Sequence, residues 1–223
     1  MTIVTPLFFV GIAQSQSLRN SNAREDSSLL IQKVKSGDPD AIAEAGRSGN
    51  KAYVPYLRKQ LTSARYKGTN LSPATQSRMA LAKLGEVDQL EDLWCNVTYS
   101  YPAPLGQLSY VGGWYSVRVL KIVLNGESDR VFERRARKQE ASDVVYPPDS
   151  ANALKTLTAM FPNGPRGSPE QWLTPTDRQN SIQQWNKWIA DHTDELKKLE
   201  PSGDNVDLSI GACRDGKPKR KGP

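Results

Sequence analysis

Few residues in this chain could do covalent chemistry. His192 is the only histidine, and nucleophilic catalysis needs a base beside the nucleophile. It falls three residues after Ile189 and four before Leu196, on the apolar stripe of the last expected helix, where a packed, hydrogen-bonded capping role is the simpler reading. Ser48-Gly49-Asn50-Lys51 satisfies a Ser-x-x-Lys pattern, but it lies in a glycine turn and neither companion motif follows it. Cys95 and Cys213 are the only cysteines. In an oxidising compartment they can pair and tie the chain end to the central helices; Cys95, beside Leu93 and Trp94, also reads as a buried free thiol. Two cysteines alone do not make a zinc site, which wants about four clustered ligands. There is no glycine-rich phosphate loop, zinc spacing or calcium loop, so neither cofactor nor metal is expected. Nothing points to a particular carboxylate pair. The expectation is a chain that is not an enzyme; the alternatives are an extracytoplasmic carboxylate-dependent hydrolase on an irregular helical domain and a structural envelope component.

The residues that stand out for binding are tyrosines. Three long polar or Gly/Pro-bearing insertions are expected at Ser63 to Ser72, Thr98 to Gly113 and Ser142 to Asp149. They carry Tyr66, then Tyr99, Tyr101 and Tyr110, then Tyr146. Tyrosine offers large contact area with a polar handle, so these residues, with Tyr115 and Lys121 on the helix after the longest insertion, are the expected contacts for a protein partner or, as a second class, a glycan. The competing reading is that the loops fold back over the ends of a small core. Nucleic acid is not an expected partner. Of the net charge of +6, residues 214 to 221 supply most, with five basic residues against Asp215. The cluster Arg130, Arg134, Arg135, Arg137 and Lys138 is interleaved with Glu127, Asp129, Glu133 and Glu140, as in a solvated, ion-paired helix. Asn70-Leu71-Ser72 and Asn96-Val97-Thr98 fit the N-glycosylation pattern.

The elements that must position these residues read as helices throughout. Ile3 to Ile12 is a short apolar run followed by Ala13-Gln14-Ser15, which predicts a signal peptide over 1–15 and a mature protein that is secreted or periplasmic. No run is long enough to span a membrane. Residues 16–26 form a polar linker, and a helical repeat domain with a capping helix is expected over 27–199. Asp38-Pro39 is a strong helix start; Val54, Leu57 and Leu61 share a face, with Pro55 tolerated only in a first turn. Further helices are expected over Pro73 to Leu84, Val87 to Val97, Trp114 to Leu124, Ser128 to Ala141, Ala151 to Phe161 and Asp177 to Leu199. Trp185 and Trp188 fall in the last, as structural residues. Residues 200–223 are polar and Gly-rich and end basic, which predicts a disordered tail.

A recurrence organises the centre. Ser77-Arg78-Met79-Ala80-Leu81-Ala82-Lys83-Leu84 closes on Gly85 and reopens at Glu86; Ser116-Val117-Arg118-Val119-Leu120-Lys121-Ile122-Val123-Leu124 closes on Asn125-Gly126 and reopens at Glu127. Gly85 and Gly126 are 41 residues apart, an interval typical of stacked helical repeats. With the Tyr53-Val54-Pro55-Tyr56-Leu57 opening of an earlier helix, this stretch, about residues 38 to 161, resembles HEAT repeats. Arg78 and Arg118 match that family's arginine near the start of the second helix, and Pro55 its first-helix proline. The resemblance implies an all-α fold, an α-solenoid of about four antiparallel helix pairs with a C-terminal capping helix. It also implies structural roles for Arg78 and Arg118 within the repeat ladder, and protein binding as a scaffold rather than chemistry as the usual work.

Overall fold

The computed structural model describes residues 27–62, 72–100, 103–126, 149–168, 174–214 and 216–219, and helices dominate them. The expected signal peptide, the linker and the helix from Ser128 to Ala141 lie outside the described residues. The chain divides into two compact units, Met1–Ser77 and Arg78–Pro223. The division falls inside helix α4, Pro73–Lys83.

In the first unit, α1 covers residues 27–36. It ends because Gly37 turns left-handed at φ +80°, which lets Gly37 N and Asp38 N donate to Val34 O and Lys33 O, satisfying carbonyls the helix leaves open. α2, Pro39–Arg47, starts where expected: the Asp38 carboxylate accepts from Asp40 N at 2.9 Å and Ala41 N at 3.2 Å. A 3-10 turn at Lys51–Tyr53 leads into α3, Val54–Gln60, with Pro55 in its first turn as its missing N–H requires. Val34, Ile42, Ala45, Tyr53 and Leu57 are buried, and Gln60 Nε2 donates to Lys35 O at 3.0 Å.

The second unit begins within α4, which closes as α1 does. Gly85, at φ +81°, donates to Ala82 O while Glu86 N donates to Leu81 O. α5, Val87–Tyr99, runs two residues further than its apolar period suggests, and the segment expected as one long loop folds an extra helix, α6, Gly106–Val111. α7, Gly113–Asn125, stops at Gly126 (φ +60°). α8, Asp149–Met160, lies against α6, α7 and α9. The expected final helix is broken: α9, Pro175–Asp191, ends at His192, and a single turn, α10, Thr193–Leu196, follows and packs on α7 and α9. Ala82, Leu93, Trp94, Leu108, Val111, Tyr115, Leu120, Leu154, Leu157, Trp185 and Ile189 belong to one buried cluster.

Residues 215 and 220–223 lie outside the described residues, but 200–214 and 216–219 are ordered where a disordered tail over 200–223 is expected. They run over α5 and α7, form a 3-10 turn at Ile210–Ala212, and end in a small antiparallel hairpin of β1, Cys213–Arg214, and β2, Lys217–Pro218. Polarity is a poor guide here, because the segment is held by its backbone carbonyls and one covalent bond together with only a few apolar side chains, Pro201 and Val206 among them. Among the described residues no helix is long and apolar enough to cross a membrane.

Candidate functional site

The residues that suggested chemistry are taken up by structure. His192 caps α9: its Nδ1 lies 2.8 Å from Trp188 O and its ring stacks on Trp188 with centroids 4.4 Å apart. Ser48 bonds within its own turn, donating to Ala45 O and accepting from Asn50 N. Among the described residues no cluster of three or more His, Cys, Asp or Glu could hold a metal ion.

Cys95 and Cys213 are joined by a disulfide, across 118 residues of sequence. Around that bond the C-terminal segment presents a line of carbonyl oxygens to donors on α5 and α7. Leu199 O and Pro201 O accept from Trp114 N and Tyr115 N, both at 3.0 Å. These are first-turn amides of α7 that no side chain caps, and orphan donors of this kind need a partner when covered. Gly203 O accepts from the Arg118 guanidinium at 2.7 Å, Ser209 O from Trp94 Nε1 at 3.0 Å, and Cys213 O from the Tyr99 hydroxyl at 3.3 Å. The fit is close: a Cβ on Gly203 (φ +62°) would meet the Tyr115 ring at 2.6 Å, and one on Gly113 would collide with the Pro201 backbone.

The expected contact residues therefore separate. Tyr115 is not a contact residue: it is fully buried, and its hydroxyl donates to Leu90 O at 2.6 Å. Burial pushes its phenol well above the ordinary range, against the opposing pull of the Arg118 charge and a backbone hydrogen bond. Tyr99 is half-buried, with its hydroxyl committed to the C-terminal segment. Tyr110 is half-buried on α6; Lys83 Nζ sits 5.6 Å from its ring centre and donates to Tyr110 O and Val111 O at 2.9 and 3.2 Å. Lys121 is exposed. Tyr66, Tyr101 and Tyr146 lie outside the described residues, so the expected row of loop tyrosines is represented by Tyr99 and Tyr110 alone. Arg118 is tied to Gly203, whereas Arg78 is exposed. Trp185 is buried and Trp188 half-buried; Trp188 packs on Phe161 and Trp185 with centroids 5.2 and 5.4 Å apart.

Three participants escaped the sequence reading. Trp114, half-buried at the start of α7, follows the Gly112-Gly113 pair, which was the available signal. Exposed Leu199 is brought beside it by the Trp114 N to Leu199 O bond. Lys83, near the end of α4, carried no signal that it would cap α6. Tyr110, Trp114, Lys121 and Leu199 are thus among the exposed or half-exposed side chains of α6, of α7 and of the segment bonded to it, together with Gln107, Ser109, Ile122 and Asn125. The chain matches no protein-family model, and comparisons with curated proteins and with solved structures likewise give no match.

Proposed function

We propose that this chain is a non-catalytic interaction module, a HEAT-like helical scaffold that works outside the cytoplasm and takes a protein partner on the face formed by α6 and the start of α7. The observation that carries this reading is the division of the aromatic residues. Trp94 and Tyr115 spend their polar atoms inside the molecule, while Tyr110 and Trp114 keep part of their rings in solvent, with Lys121 two turns beyond Trp114 on the same helix face. Tyrosine and tryptophan are enriched among the anchors of protein interfaces. The disulfide supports the expected secreted or periplasmic location, since such bonds persist in oxidising compartments. Gly37, Gly85 and Gly126, each closing a helix in the left-handed conformation, are consistent with a repeat of helix, glycine turn, helix.

The test is a pull-down from the protein's own extracytoplasmic extract, comparing wild type with a Tyr110→Ala/Lys121→Ala variant of equal melting temperature. Retention of a partner by the wild type and its loss from the variant supports the reading. Equal retention by both moves the interface elsewhere, and no retention by either removes the support for a binding role on this face.

A further inference from the structure

We infer that the C-terminal segment, described over 200–214 and 216–219, forms a redox-set latch: the Cys95–Cys213 disulfide holds the segment closed over α5 and α7, and reduction by a dithiol releases it while the helices beneath stay folded. The reason lies in how unevenly the segment is attached. Its buried apolar content is small, with Pro201, Val206 and the Cys213 side chain buried and Leu208 partly so. Its other attachments include four carbonyl contacts, to Tyr115, Arg118, Trp94 and Tyr99, and water can replace each of these at modest net cost. The helices, by contrast, pack on one another. α8 contacts α6, α7 and α9, and Leu108, Leu120, Leu154, Leu157, Trp185 and Ile189 all come from outside the segment. A unit with few buried apolar contacts opens separately from the one it covers.

The disulfide also controls how release begins. Cys95 is 1% and Cys213 4% exposed, so a reductant reaches the sulfurs only after the end of the segment has lifted. The hairpin beside Cys213 offers little resistance, being two residues per strand with Lys219 N bonded to Ala212 O. A dithiol thiolate then attacks one sulfur, forming a mixed disulfide and freeing the other cysteine as a thiolate that takes up a proton. The second thiol of the reductant displaces the remaining cysteine and closes the reductant's own disulfide. Two electrons pass from the dithiol to the protein, which ends with two free thiols.

The test is hydrogen exchange read by mass spectrometry on the full chain, oxidised and in excess dithiothreitol. Reduction should speed exchange by roughly tenfold or more in peptides covering 200–219, leaving α8 and α9 as protected as before. The Cys95→Ala/Cys213→Ala variant should show the released pattern with no reductant. The inference is overturned if 200–219 keeps its protection on reduction, or if α8 and α9 lose theirs together with it. It also fails if the double variant does not fold, since the bond would then hold the whole unit rather than one segment.

Discussion

Tyr115 shows how one side chain can serve the framework while looking like a binding residue. Its ring lies against Gly203 and its hydroxyl reaches Leu90 O in the interior. Tyr115→Phe removes that bond, while Leu90 O keeps its place in the backbone ladder of α5, so urea unfolding should show a loss of about 1 kcal/mol. The same burial gives a pH signature. Because the folded-state pKa is raised, the unfolded chain releases this proton first. The contribution is intact below the ordinary phenol value of 10.0 and is lost as pH rises above it, by about 1.4 kcal/mol per pH unit. Urea midpoints between pH 9 and 11 should therefore fall less steeply for Tyr115→Phe than for wild type. Gly203 is the matching constraint on the other side. Gly203→Ala adds a Cβ where the Tyr115 ring already sits, at a backbone angle that disfavours it. A loss of roughly 1–3 kcal/mol is expected from overpacking alone, measured by thermal melting.

Between elements, the ends of helices are where this fold is set. Asp38 caps α2 with two backbone bonds, and Asp38→Ala should lower the stability of the first unit by about 1 kcal/mol in urea titration. Lys83 does the corresponding work at a distance: its ammonium covers the last carbonyls of α6, where a cation also complements the helix dipole. α7 has no side-chain cap and borrows two carbonyls from the C-terminal segment instead. Asp38-Pro39 could be read as a start signal because a cap acts over three residues. The caps of α6 and α7 could not, because their partners stand 27 and more than 80 residues away in sequence.

For the second unit as a whole, the disulfide closes a span of 118 residues. By the loop-entropy argument it contributes at most about 5 kcal/mol. Unfolding in urea with and without reductant should show a loss within that bound, and a larger loss would mean that the bond supports more than chain closure. The unit's core draws on every helix from α5 to α10, so no short window of sequence contains it.

What the sequence determined by itself is what acts over a turn or two of chain. Apolar spacing at three and four residues marked most helices, and Gly37, Gly85, Gly126 and Pro55 marked where they stop or start, because steric limits on φ and a missing N–H are properties of single residues. The tertiary structure decided which aromatic residues face solvent, that Cys95 meets Cys213, and that a polar stretch after Glu200 is ordered. Each of these depends on groups far apart in the chain arriving within bonding distance. The C-terminal segment is the clearest case: its own composition favours solvent, and it is held by donors on Trp94, Tyr99, Trp114, Tyr115 and Arg118 that only the folded helices bring into line.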